Sequence, residues 1–176
     1  GEVLRQIAAL PAACALDGPA PDAFAVHITG VVWAFNFVGA LDPAFYAAVR
    51  RVVLETGRAM DARRPPGPGS GRVPAGRGLA GAPHVELDLA DCLVIHKPPG
   101  WEVDTTDVGE AKRLSLYLQA ALSWPLSHDR GHSYGFLHRL DTPSSGLILT
   151  AKTFEAYHDL KLQLSVGRLV RDYIVL

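Results

Sequence analysis

The sequence has few cysteines and no long apolar run. It contains two cysteines and one methionine among 176 residues. Cys14 and Cys92 lie far apart, one in an alanine-rich opening and one in an apolar run, so neither a disulfide framework nor a zinc site is expected. The low cysteine content favours a reducing intracellular compartment, cytoplasmic or organellar. No run of about 18 apolar residues occurs, so we expect no membrane span.

An excess of positive charge is also missing. Seventeen lysines and arginines face 18 acidic residues, which gives a formal net charge of -1. The whole chain therefore gives no electrostatic indication of a nucleic-acid partner. The last third of the chain does contain a concentration of basic residues, namely Arg130, Arg139, Lys152, Lys161, Arg168 and Arg171. A basic groove would have to be built locally from such residues.

The first 60 residues predict an α-helical hairpin. Apolar residues recur at three- and four-residue spacing between positions 26 and 60, which is typical of amphipathic helices. Asp42 before Pro43 predicts a helix start, because the carboxylate caps free amides and proline loses no needed hydrogen bond. Segments 28–35 (ITGVVWAF) and 41–45 (LDPAF) resemble one unit of the helical repeats of organellar RNA-binding proteins. A generic amphipathic pair explains the same pattern, and a single repeat would need stacked neighbours.

Residues 61–83 are rich in arginine, proline, glycine and serine. Such a segment has too little apolar surface to offset the entropy lost on ordering. We predict a flexible linker between a helical segment, residues 1–60, and a second domain, residues 84–176.

The second domain alternates short strands and helices. The patterns predict strands over 84–88, 92–96, 134–140, 147–152 and 169–176, and helices over 110–123 and 154–167. This order predicts an α+β fold with a mixed, mostly antiparallel sheet and flanking helices.

The segment most informative about chemistry is 135–152. If residues 134–141 are extended, Arg139 and Asp141 share one face while His138 and Leu140 share the other. An arginine and an aspartate at a strand end, before a small polar turn, are typical of a charged pair whose side chains line a cleft. The pattern alone favours an ordinary surface ion pair, because arginine and aspartate are common at strand ends and such pairs contribute little.

The residues of this segment resemble the signature of the RluA-type pseudouridine synthases. That signature is His-Arg-Leu-Asp, two variable residues, then Thr-Ser-Gly-Leu, and Ser144 replaces the threonine here while keeping a hydroxyl. Segment 93–100 (LVIHKPPG) is similar to the family's strand ending in a Lys-Pro-x-Gly turn, and 171–173 (RDY) to its Lys-x-Tyr strand. Three motifs in the family's order make the resemblance specific over 84–176.

The resemblance implies an RNA isomerase that detaches uracil from ribose at N1 and reattaches it through C5, in rRNA or tRNA. Asp141 would be the essential carboxylate, ionised at neutral pH. Arg139 would enter the RNA as the base flips out, and Tyr173 would lie against the uracil. Lys97, expected to be exposed, and Arg171, where the family has lysine, would be further RNA contacts. The family uses no metal, nucleotide or redox cofactor.

Three histidines carry weaker signals. His128 and His132 have the spacing of metal ligands, but the residues between them predict a loop and no third ligand is evident. We therefore expect no zinc site. His138 is expected to be a hydrogen-bonded structural residue on the face opposite Asp141.

The family's catalytic domain continues past the Lys-x-Tyr strand, where a later motif supplies a basic partner for the aspartate. These 176 residues lack that motif, so whether they are active by themselves is open. Two functions fit the sequence. One is a pseudouridine synthase, and the other is a non-catalytic RNA-binding protein that retains a degenerate synthase half-domain.

Overall fold

The computed structural model describes residues 21–65, 81–104 and 112–174. These residues form two compact units, one made of residues up to Met60 together with those from His158 onward, the other of Asp61–Tyr157. The domains predicted over 1–60, 61–83 and 84–176 stay a prediction, and most of the predicted linker lies outside the described residues. Within the described ranges, no helix is both long and apolar enough to cross a membrane.

The first unit contains two helices where the apolar spacing predicts them. Helix α1 spans Pro21–Phe37 and helix α2 spans Pro43–Arg63. The Asp42 carboxylate accepts hydrogen bonds from the Ala44 and Phe45 amides at 2.7 and 3.0 Å, as expected for the residue that caps α2. The buried core of this unit consists of Ala25, Ile28, Val32, Phe45, Tyr46, Val49, Val53 and Leu162.

The second unit is built on antiparallel strands. Its chain order is β1 (His84–Asp88), β2 (Cys92–Lys97), β3 (Trp101–Glu102), β4 (Lys112–Arg113), α3 (Leu114–Ala121), two 3-10 helices (Pro125–His128 and Arg130–Gly135), β5 (Gly146–Ala151) and α4 (Phe154–Ser165). Helix α4 continues from this unit into the first. The main sheet has the order β1-β2-β5 with both pairs antiparallel, and β3 pairs with β4 in parallel. The α+β class expected from the sequence is therefore present.

The register of β2 against β5 determines which loops meet. Cys92 pairs with Ala151 at one end of the ladder, and Lys97 pairs with Gly146 at the other. The core beneath this sheet contains apolar side chains from the strands, from α3 and from the connecting segments, namely Val85, Leu93, Ile95, Val103, Leu114, Leu118, Leu122, Trp124, Phe136 and Ile148. The loop that precedes β5 is thereby placed beside the turn that follows β2.

Two predicted strands are wrong. Segment 134–140 instead completes the second 3-10 helix and makes a single bridge, because Ser133, Tyr134 and Gly135 have positive φ angles of 49°, 55° and 89° that turn the chain. Segment 169–176 is irregular as far as residue 174, where the description ends. A strand needs a neighbour for its hydrogen bonds, and none of the described strands pairs with this segment.

Gly135 is needed where the chain passes under the sheet. A Cβ atom at this position would lie 2.7 Å from the Ala151 carbonyl oxygen and 3.3 Å from Leu126. With φ at +89° the backbone also has a conformation that L side chains rarely adopt. Glycine therefore allows the close approach that directs the following residues toward β5.

Asp129 holds the 3-10 segment in place. Its carboxylate accepts hydrogen bonds from Arg64 Nη1 at 2.7 Å and from the His132 amide at 3.3 Å. Burial pushes the pKa of Asp129 upward, but the interactions with His132 and Arg64 outweigh burial and hold that pKa below its ordinary value. The folded structure thus stabilises the ionised form of the Asp129 carboxylate.

Candidate active site

The segment that carries the predicted catalytic aspartate leaves the sheet after Leu137. Phe136 forms an antiparallel bridge with Thr150, and the Leu137 amide donates to the Leu149 carbonyl at 3.1 Å. The next hydrogen bond runs from the Leu149 amide to Nε2 of His138, at 3.2 Å. The imidazole nitrogen thus accepts a hydrogen bond that a backbone carbonyl would accept in a regular ladder. The main chain can therefore turn away from the sheet. His138 has the structural, hydrogen-bonded role that we expected.

Asp141 begins an exposed turn. The Ser144 amide donates to the Asp141 carbonyl at 3.0 Å, which closes the turn through Thr142 and Pro143. The Asp141 side chain is exposed, and it forms no ion pair with any residue in the described part of the chain. The turn therefore presents an uncommitted carboxylate to solvent.

Lys97 holds this turn from below. Its side chain is completely buried, at 0% exposure. The ammonium donates to the Trp101 and Ser144 carbonyl oxygens at 2.7 Å each, and lies 3.3 Å from those of Pro98 and Thr142. One buried cation therefore joins the turn after β2 to the turn that starts at Asp141.

The prediction that Lys97 is exposed is wrong, and its predicted contact with RNA stays a prediction. A lysine has three N–H donors and no acceptor, and here all of them point at backbone carbonyls rather than at solvent. Burial lowers the pKa of Lys97 below its ordinary value of 10.5, while the negative charge of Asp141 acts in the opposite direction. Lys97 is a positioning residue for the loop, electrostatically coupled to the aspartate.

A backbone contact reinforces the same connection. The Gly100 amide donates to the Thr142 carbonyl oxygen at 2.8 Å. Gly100 has φ at +79°, a conformation that glycine adopts without strain. The turn 97–100 (Lys-Pro-Pro-Gly) thus supports the loop that begins with the turn 141–144 and leads to β5, which we call the aspartate loop.

Arg139 is the exposed cation closest to Asp141 along the chain. Its side chain is 72% exposed, and its Nε lies 3.4 Å from Oδ1 of Asp104, whose side chain is 18% exposed. Asp104 Oδ1 has no hydrogen-bond partner within the described residues, so this is an ion pair without a hydrogen bond. Contacts of this kind contribute little and exchange readily. Nothing in the sequence indicated Asp104, which is distant from Arg139 along the chain.

Arg171 and Tyr173 lie in the other compact unit. Both are exposed, Tyr173 at 60%, and both lie in the irregular segment after α4. The structure therefore brings together Asp141, Arg139 and Lys97 as one described site, and the roles of Arg171 and Tyr173 stay predictions.

The two histidines with metal-ligand spacing are in different environments. His132 is buried, with its ring edge-on to Phe154 at 5.0 Å and to Tyr157 at 5.3 Å, whereas His128 is exposed. Among the residues that the structure describes, no group of three or more histidine, cysteine or acidic side chains is arranged to hold a metal ion.

Comparisons with known proteins agree with the motifs. Residues 91–176 match the RNA pseudouridylate synthase family. Over 85 residues the chain is 34% identical to ribosomal large subunit pseudouridine synthase D of Buchnera aphidicola subsp. Acyrthosiphon pisum. The match covers 48% of this chain and 26% of that relative, so this chain corresponds to about a quarter of it. No solved structure matches the chain.

Proposed function

We propose that the chain, whose residues 91–176 match the RNA pseudouridylate synthase family, isomerises uridine to pseudouridine in structured RNA, rRNA or tRNA, through Asp141. The observation that carries the proposal is the geometry of the aspartate loop. An exposed, uncommitted carboxylate is held on a turn whose Thr142 and Ser144 carbonyls face a buried ammonium. A reacting group held in a defined position before substrate arrives needs little reorganisation in the transition state.

The chemistry requires an ionised carboxylate and no external reagent. The N1–C1′ bond of uridine breaks, a C5–C1′ bond forms, the C5 proton is released, and N1 takes up a proton, so the product is an isomer of the substrate. Asp141 acts on the sugar, either as the nucleophile at C1′ or as a base on a ribose proton. Both routes begin with the same exposed carboxylate.

The target uridine must leave its stack to reach a carboxylate on a protein surface. We assign this step to Arg139, whose largely exposed guanidinium has only the weak contact with Asp104 to lose. It would exchange Asp104 for RNA and fill the space that the base vacates. Tyr173 stacks on the extruded uracil and Arg171 contacts the RNA backbone. An aromatic stack contributes about 1–3 kcal/mol per base.

The test is tritium release from uridine C5 in RNA transcripts labelled at that position. We expect Asp141→Asn to abolish release while RNA affinity stays within about twofold, because the substitution keeps the size of the side chain. The matched control is Asp91→Asn, an exposed aspartate just before β2, at the opposite end of the β2–β5 ladder. Asp91→Asn should release tritium at the rate of the unmodified chain.

The other outcome favours the alternative function. If neither the chain nor a version extended beyond Leu176 releases tritium while RNA is still bound, the protein is an RNA-binding protein on a synthase scaffold. Release that survives Asp141→Asn would show that another group performs the chemistry.

A further inference from the structure

Helix α1 has an exposed apolar stripe that the aspartate site does not use. The stripe consists of Val26, Gly30, Trp33 and Phe37, whose spacing of four, three and four residues places them on one side of the helix. We propose that this surface, the α1 stripe, packs antiparallel against the same stripe of a second copy of the chain, so that the protein forms a two-fold symmetric dimer. This contact is independent of Asp141 and its chemistry.

Helix α1 is apolar on more than the side that faces its own unit. Ala25, Ile28 and Val32 are buried in the core of the first unit, and the α1 stripe lies on another side of the helix. A helix that is apolar on several sides is normally covered on each of them. Positions 23–41 contain no aspartate, glutamate, lysine or arginine, whereas α2 contains six charged residues. The exposed side of α1 therefore lacks the charges that usually keep a helix face in contact with water.

The two aromatic side chains of the stripe form one continuous surface. The ring centres of Trp33 and Phe37 lie 5.4 Å apart, and the ring planes are inclined by 21°. The two side chains are nevertheless 54% and 76% exposed, and Val26 is 69% exposed. Rings that already stack on each other lose little further freedom when a partner binds. A contiguous apolar surface of this kind indicates an interaction site, whereas single exposed apolar residues do not.

The order of large and small residues makes the stripe complementary to itself. In an antiparallel pair related by a two-fold axis between positions 31 and 32, Trp33 of each copy lies opposite Gly30 of the other, and Val26 lies opposite Phe37. A Cβ atom at Gly30 would have nothing within 4 Å, so there is open space above this glycine for an indole ring. A parallel pair would instead place Trp33 on Trp33 and leave a gap between the two glycines.

The absence of charge indicates which partner fits. A charged partner would lose its hydration against the stripe without gaining an ion pair or a hydrogen bond. RNA, with a negative phosphate at every nucleotide, is therefore disfavoured on this face. The partner must be uncharged where it touches the stripe and must present a small residue opposite Trp33. The α1 stripe meets both requirements, and every copy of the chain carries it.

The size of the stripe predicts a weak dimer. An aromatic side chain has about 150–250 Å² of surface to bury, so at their exposed fractions Trp33, Phe37 and Val26 offer roughly 350 Å² per copy. Two copies would bury roughly 700 Å² in total, which is less than the roughly 1,200–2,000 Å² of stable complexes. We therefore expect a dissociation constant on the order of 10–100 μM, as in transient complexes.

The test is sedimentation velocity at chain concentrations from about 5 to 500 μM. Val26→Glu places a carboxylate in the stripe and should weaken dimerisation at least about 30-fold. The matched control is Val31→Glu, in the same helix and also exposed, but about 140° around the helix axis from Val26. Val31→Glu should dimerise within about threefold of the unmodified chain. Circular dichroism checks that both variants keep their helices.

A double variant tests the antiparallel arrangement. Val26→Glu combined with Phe37→Lys should dimerise at least about tenfold more tightly than either single variant, because the new carboxylate of one copy then faces the new ammonium of the other. Within one chain the two positions are about 16 Å apart along the helix, so the new charges cannot pair there. Recovery of the dimer therefore reports a contact between two copies.

Three outcomes would overturn the proposal. They are an unmodified chain that stays monomeric at 500 μM, equal dimerisation of Val26→Glu and Val31→Glu, and a double variant that dimerises no better than Val26→Glu alone. Flotation with phosphatidylcholine vesicles distinguishes a lipid surface. If the unmodified chain floats with the vesicles as a monomer while Val26→Glu does not, the stripe contacts lipid and the proposal is wrong.

Discussion

Replacement of Lys97 by methionine should loosen the aspartate loop more than it disturbs the rest of the sheet. Methionine has a similar length and no donor, so the change removes the two 2.7 Å hydrogen bonds to the Trp101 and Ser144 carbonyls and the two longer contacts. A hydrogen bond to a charged group contributes about 1.5–3 kcal/mol. Removal of the buried ammonium returns part of this energy, because burial disfavours the charged form, as the lowered pKa of Lys97 indicates. We expect a net loss of about 2–4 kcal/mol.

The measurement combines urea unfolding with amide hydrogen exchange. The Gly100 and Ser144 amides donate to the Thr142 and Asp141 carbonyls, so both should lose protection in Lys97→Met. The matched control is Lys152→Met, a lysine that follows β5 at the far end of the same ladder and pairs with Asp88. The control should be destabilised without selective loss at those two amides. If the free energy of unfolding of Lys97→Met lies within about 0.5 kcal/mol of that of the unmodified chain and both amides stay protected, Lys97 does not hold the aspartate loop.

Three further predictions concern the scaffold. Asp129→Asn should cost about 1–2 kcal/mol at pH 7, and because the pKa of Asp129 is lowered in the folded state, this cost should shrink as pH falls below 3.8 in acid titrations of unfolding. Burial, with Asp91, raises the pKa of Cys92 from 9.0 to about 11, so the folded chain keeps the thiol proton longer. In a Cys14→Ser background, the free energy of unfolding should therefore fall between pH 9 and 11 by up to about 3 kcal/mol more with Cys92 than with Cys92→Val. Equal slopes in the two proteins would contradict this. Gly135→Ala should cost about 2–4 kcal/mol because of its positive φ and the approach to Ala151 O. Gly100→Ala, with similar φ and nothing within 4 Å, should cost only about 1 kcal/mol, and equal losses in urea unfolding would exclude the steric argument.

The sequence predicted the elements whose signals are local. The His84–Asp88 strand, the Asp42 cap and the two N-terminal helices depend on periodicity and on side chains within a few residues. The segment after Tyr134 could not be predicted in this way. It looks like a strand by composition, but three consecutive residues with positive φ turn the chain, so that it makes a single bridge to β5, at Phe136, instead of forming a strand. Neither Ser133 nor Tyr134 gives any sequence signal of that conformation.

The candidate site was predicted in part. The motif identified the loop of Asp141 and Arg139. Lys97, however, was expected to be exposed and is buried. The alternation in β2 contained the missing signal, because residue 97 shares a face with the fully buried Leu93 and Ile95. Asp104 could not be found from the sequence, since its proximity to Arg139 depends on tertiary structure alone.

The proposed function depends on the exposed carboxylate of Asp141, which would carry out uridine isomerisation. The most direct measurement is tritium release from C5-labelled RNA by the chain and by a version extended beyond Leu176, each compared with its Asp141→Asn and Asp91→Asn variants. This role of Asp141 predicts that release disappears with Asp141→Asn without a matching loss of RNA affinity, and that it persists with Asp91→Asn. Equal release from the two aspartate variants, or none from any version that binds RNA, would contradict it.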